Sequence, residues 1–126
     1  MPEIEDCLRQ VMAIRGVLGA SMIDYTSGLV LASAGRCASD DHDVTAVGAT
    51  KLVRATLDSG AFATLGRPSQ VDDIVVTARN GYHLIHFLPT GIDARVMVYV
   101  WLDRMAGNLA MTQRSLKSIT GELVAG

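Results

Sequence analysis

The sequence predicts an α+β domain in which a five-stranded antiparallel sheet is sandwiched between helices, and three observations carry that reading. Hydrophobic periodicity runs in the order α-β-β-α-β-β-β-α. Arg95 to Leu102 is apolar on both faces, with Val96, Val98 and Val100 alternating with Met97, Tyr99 and Trp101. That is the pattern of a central strand with layers above and below. Asp40 to Ser59, finally, is a helix with more apolar circumference than one contact requires.

Taken in order, Pro2 to Ala13 places Ile4, Cys7, Leu8, Val11 and Met12 at helical spacing, with Pro2 suited to a first turn and Glu3, Glu5 and Asp6 near the positive helix end. Gly16 ends this helix. Val17 to Asp24 reads as a strand, Thr26-Ser27-Gly28 as a turn and Leu29 to Ala34 as the returning strand. Ser39 and Asp40 offer N-caps for the second helix, which stops at Gly60. At about 100° per residue, Val44, Ala55, Gly48, Leu52, Thr45, Thr56, Ala49, Val53, Ala46 and Leu57 fill an arc of about 220°. An ordinary surface helix has a stripe only somewhat wider than about 100°. This helix therefore needs cover on two sides, one from its own sheet and the other most simply from a second copy packed through Ala46 and Ala49.

Gly66 to Ser69 is a connector, and Val71 to Arg79 alternates as a strand. Asn80-Gly81 is a strong hairpin signal, and Tyr82 to Leu88 returns antiparallel. Pro89, Gly91 and Asp93 break the chain before the fifth strand, Arg95 to Leu102. Asp103 is the expected cap of a last helix in which Met105, Leu109, Thr112, Leu116, Ile119 and Leu123 form one stripe while Arg114, Lys117 and Glu122 face away.

The 126 residues suit a single domain, 1–126, large enough for a core without staples. Hydrophobic content of 49% is high for a soluble chain, yet no apolar run approaches the roughly 18 residues of a membrane span and no charged-then-apolar leader opens the sequence. The excess apolar surface is therefore expected between subunits of a cytoplasmic protein without membrane insertion. A net charge of −2 and few aromatic residues disfavour nucleic acid as a partner. Cys7 and Cys37 lack CxxC spacing and read as reduced thiols, Cys7 on a core-facing stripe and Cys37 in a loop where exposure and a redox role stay open.

Gly16-Val17-Leu18-Gly19-Ala20-Ser21-Met22-Ile23-Asp24, followed by Ser27-Gly28-Leu29-Val30-Leu31-Ala32-Ser33, resembles the opening hairpin of the roadblock/LC7 (dynein light chain 7) family. The Asn80-Gly81 hairpin, the apolar fifth strand and Asn108-Leu109-Ala110 fall where that family places them, so the resemblance covers nearly the whole chain. It implies a profilin-like layering with the first and last helices on one face of the sheet and the second on the other. It also implies dimerisation through the second helix and the edge third strand, and binding of Ras-like small GTPases. Bacterial single-domain members commonly work beside a GTPase of the gliding-motility type. The hairpin Gly and Asp positions carry over as structural residues, and the family supplies no catalytic residue.

The expected dimer interface is Ala46, Ala49, Val53, Leu57, Ile74 and Val76, and the expected partner-binding strip is Asp43, Val47, Lys51, Arg54 and Asp58, which equally reads as a solvated face. No cofactor or metal is expected. Asp40-Asp41-His42-Asp43 reads as helix capping before it reads as a metal site, and His83 and His86 point to opposite sheet faces. Asp72-Asp73 reads as protection of an edge strand rather than as paired-carboxylate chemistry. Gly48-Ala49-Thr50-Lys51 lies in mid-helix, where backbone N–H groups are already used, so it is no phosphate loop. The reading is a non-enzymatic scaffold or regulator; the alternative is a small-molecule sensor of the PAS or GAF sort.

Overall fold

The structure, a computed structural model, describes residues 2–67, 70–89 and 95–125. Its elements are α1 (Pro2–Met12), β1 (Val17–Asp24), β2 (Leu29–Gly35), α2 (His42–Asp58), β3 (Asp73–Ala78), β4 (Gly81–Phe87), β5 (Val96–Leu102) and α3 (Leu109–Ala125). The strands form one antiparallel sheet in the order β2-β1-β5-β4-β3, so β5 is central and β2 and β3 are the edges. Pro68, Ser69, Gly91 and Asp93, expected as chain-breaking positions, lie outside the described residues.

Each sheet face has its own core. On one, α1 and α3 bring Ile4, Cys7, Leu8, Val11 and Leu116 onto Ala20, Met22, Leu84, Val98 and Val100. On the other, α2 sets Ala46 and Val53 against Ile23, Ile85, Met97, Tyr99 and Trp101. The two-faced β5 pattern supplies both cores, because its alternate residues enter opposite layers.

The opening hairpin depends on its glycines and on Asp24. A Cβ at Gly19 would lie 1.6 Å from the Arg36 carbonyl oxygen, and Gly28 turns at φ +81°. Asp24 accepts hydrogen bonds from the Thr26 hydroxyl and the Thr26 backbone N–H, and these hold its carboxyl below the usual range.

Several boundaries differ from the sequence reading. The cap of α2 is Asp41, whose carboxylate accepts from the Asp43 N–H, one residue after the expected Asp40; Asp40 itself takes a left-handed φ of 64°. In the β3–β4 hairpin Ala78 pairs with Gly81, so Arg79-Asn80 is the loop and Gly81 already belongs to β4. Asp103 does not cap α3. It closes a turn by accepting from the N–H groups of Ala106 and Gly107, which leaves Met105 94% exposed outside the helix. Asn108 is the working cap, with its side chain accepting from the Met111 N–H.

Candidate partner-binding surface

The circumference of α2 divides into three sectors. Ala46 and Val53 are fully buried against the sheet, with Ala49 and Leu57 packed beside them. This corrects the assignment of Ala46 and Val53 to a dimer contact: they belong to the protomer's own seam, which leaves Ala49 and Leu57 only partly covered. The arc of about 220° was wide enough for two contacts, but its residues do not mark which half the sheet takes. On the side away from Ala46 and Val53 lie Val44, Gly48, Leu52 and Ala55, within about 80° of one another and all exposed, Val44 to 59% and Leu52 to 38%. A Cβ at Gly48 would meet nothing within 4 Å, so the backbone there is open to close approach.

Between these sectors runs the charged strip. Asp43, Val47, Lys51, Arg54 and Asp58 are all exposed, as the sequence implied. Arg54 and Asp58 approach to 3.9 Å, an exposed i, i+4 pair that adds little stability. Of the two expected interface residues on β3, Ile74 is half-buried against the α2-side core and Val76, two residues on and on the same face, is 41% exposed. The exposed α2 stripe and the edge of β3 thus belong to the same layer of the molecule.

Under α2 the sheet carries an aromatic group. Trp101 donates its indole N–H to the Asn80 carbonyl at 2.9 Å, lies under the Arg36 guanidinium at 5.6 Å and stacks on His83. His83 is bonded through Nδ1 to the Tyr99 hydroxyl at 2.7 Å and through Nε2 to the Asn80 side chain at 2.8 Å. Burial lowers the His83 pKa, and burial together with Cys37 raises that of Tyr99 to about 12. Cys37 is buried, with its sulfur 3.7 Å from Ser39 Oγ, which answers the question of exposure that its loop position left open. Cys7 is buried as expected, and burial followed by the nearby Asp6 pushes its pKa up to about 11.

His86 lies on the other face and is no ordinary strand residue. Its Nδ1 is 2.5 Å from Asp73 Oδ1 and its Nε2 is 3.1 Å from Thr120 Oγ1, while the Gln113 amide donates to Asp73 Oδ2. This corrects the reading of Asp73 as an edge-protecting charge; only Asp72 is exposed. Sequence reasoning missed the group because Thr120 and Gln113 are 34 and 40 residues from the partners they bond. The order Asp–His–Thr resembles a nucleophile relay, but Thr120 is wholly buried and offers no hydroxyl to solvent. Among the described residues no three His, Cys, Asp or Glu side chains converge as a metal site would require, and no helix is long and apolar enough to cross a membrane. An open groove of about 640 Å³ runs between α1 and α3, lined in part by Ile14, Met111 and Ile119.

No protein-family model matches the sequence, and no curated protein matches it. Solved structures do. A roadblock/LC7 domain from Streptomyces avermitilis superposes with a TM-score of 0.72 at 16% identity, over 91% of this chain and 88% of that one. Myxococcus xanthus MglB gives 0.73 at 14% identity, over 98% and 90%. The gliding protein MglB from Thermus thermophilus gives 0.67 at 18% identity, over 96% and 90%. At these identities the likeness is one of fold, and the chain has the roadblock/LC7 fold.

Proposed function

We propose that this roadblock-fold protein is a non-enzymatic, homodimeric scaffold or regulator that binds a Ras-like small GTPase or a related signalling partner. The observation that carries the reading is the outward sector of α2, where Val44, Gly48, Leu52 and Ala55 stay exposed although the protomer's own core is complete without them. A second α2 laid against that sector covers the apolar stripe, and pairing of the β3 edges makes one continuous sheet. Two copies of Asp43, Val47, Lys51, Arg54 and Asp58 then lie side by side as a mixed-charge platform larger than either helix offers. The resemblance to gliding proteins of the MglB type supports a GTPase as the partner for that platform.

Light scattering tests the first half. Wild type should be a dimer at micromolar concentration and Leu52→Glu a folded monomer; a wild-type monomer removes the proposal's basis. Leu52 is the informative position, since Ala49→Glu would also disturb the protomer's seam. Titration against a Ras-like GTPase loaded with GDP or a GTP analogue tests the second half. Wild type should prefer one nucleotide state, and Arg54→Glu should bind at least about tenfold more weakly while remaining a dimer. Equal binding by both proteins rules out the strip.

A further inference from the structure

The groove between α1 and α3 is part of a longer crease. A smaller hollow of about 270 Å³ continues it, and the two share Gln10 and Ile119. The larger hollow sets Ile14 and Arg15, just past the end of α1, beside Asn108 and Met111 at the start of α3, whereas the smaller sets Glu3 and Asp6 beside Glu122 near the other end of α3. The two helices therefore run antiparallel. The crease between them follows the whole of α1, whose 11 residues rise about 16 Å, the length of three turns of a helix laid along it. Ala13, Ala106 and Gly107 give the larger hollow small side chains that allow close approach, and Met111, 64% exposed, adds a flexible apolar one.

Charge is divided between the ends. Among the described residues, Arg15 is the one charged side chain lining the larger hollow, and Glu3, Asp6 and Glu122 are those lining the smaller; all four are exposed. Asp6 is bridged to Arg9 at 2.9 Å, but Glu3, Glu122 and Arg15 have no ion-pair partner among the described residues. An apolar crease with an unpaired cation at one end and unpaired carboxylates at the other complements a segment whose charges run in the reverse order. Helices that carry acids in the first turn and bases in the last have that order built in, and their full side-chain charges outweigh the half charges of the helix ends. We propose that the crease is a docking site for an amphipathic helix of a partner protein, about three turns long, whose acidic first turn lies at Arg15 and whose last turn sets Lys or Arg at Glu3 and Glu122. The bound helix runs parallel to α3, with its apolar stripe over Ile14, Met111 and Ile119. The site is on the sheet face opposite α2, so it does not rest on the proposed dimer or on its charged platform.

The probe is a synthetic helix of about 15 residues built from Ala and Leu with one apolar stripe, Glu in its first turn and Lys in its last. Its control has Lys first and Glu last, with stripe and composition unchanged. In an NMR titration of the full chain, the first peptide should shift the amides of Gln10, Ile14, Met111 and Ile119 and leave those of α2 in place. It should bind at least about fivefold more tightly than the control, the equivalent of two exposed ion pairs, and high salt should erase the difference. Reversing the ends together, by Arg15→Glu, Glu3→Lys and Glu122→Lys, should invert the preference; if that variant does not fold, Arg15→Glu alone should reduce it. Crease amides that stay still at millimolar peptide, equal binding of the two peptides, or an unchanged preference in the charge-reversed variant each overturn the proposal. So does a shift of the crease amides with protein concentration alone, which gives the crease to a second copy of the chain.

Discussion

The two faces of the sheet are built to different standards of completion. Beneath α1 and α3 the buried polar side chains are partnered: His86 holds Asp73 and Thr120, and the Thr112 hydroxyl donates to the Asn108 carbonyl. Beneath α2, Ser21 Oγ, Thr50 Oγ1 and His42 Nδ1 have no hydrogen-bond partner among the described residues. One face has two helices over it, whereas the other has a single helix lying over β2 and β1, with exposed apolar residues on its outer side. Unpaired buried polar groups and uncovered apolar area both cost free energy. Their concentration on one face accords with the proposal that a partner covers the α2 side and that the opposite face is its support.

Truncation of the finished face should give the largest effect. Leu116→Ala removes a fully buried side chain and should cost about 2–5 kcal/mol in urea denaturation, independent of protein concentration. The outer side of α2 supplies the contrast. Leu52→Ala should change protomer stability by less than about 0.5 kcal/mol yet shift the dimer dissociation constant by about tenfold or more. A Leu52 variant as unstable as Leu116→Ala would erase the distinction between the faces.

Thiol reagents compare the two cores at one site each, Cys7 under α1 and Cys37 under the α2 side. Both should stay unmodified in the native protein and react on unfolding. On the alkaline side the unfolded chain releases the Cys7 proton from about pH 9.0 while the native thiol retains its own to about 11, so native stability is lost as pH rises across that window. Cys37 reacting ahead of Cys7 under native conditions would mark the α2 side as the layer that opens first.

The smallest effect belongs to His83, on the α2 side of the sheet. Burial favours neutral His83, so stability from this residue is present above the pH at which free imidazole titrates and is lost as pH falls through the lowered native value. His83→Gln should flatten the acid limb of a stability–pH curve and leave the alkaline limb alone. A change confined to the alkaline limb would overturn this assignment.

Much of the fold was legible in local pattern. The bounds of β1 are as the sequence has them, because apolar residues on both faces are closed by Gly16 and by the Asp24 turn, and β5 was recognisable as central for the same reason. The start of α3 was not, since Asp103 and Asn108 are both plausible caps and only the packing of Leu109 onto the α1 side chooses between them. In the candidate surface the charged strip was legible from its spacing alone. Which apolar half of α2 meets the sheet was not, because Ala46 and Val53 are no more hydrophobic than the exposed Val44 and Leu52 and both pairs recur at helical spacing. Burial of Cys37 and the partners of His86 arise from contacts distant in sequence, which no local pattern encodes.

Trp101 is the chain's only tryptophan, and it sits on the α2 side between the Arg36 guanidinium and the His83 ring. Intrinsic fluorescence of this protein is therefore a one-sided signal. Emission excited at the indole band reports on the layer that α2 covers, with His83 as a neighbour whose protonation changes quenching, and it is blind to repacking of α1 against α3. A titration with a binding partner can be read without any attached dye, and loss of α2 from the sheet will register optically even while the far face keeps its secondary structure.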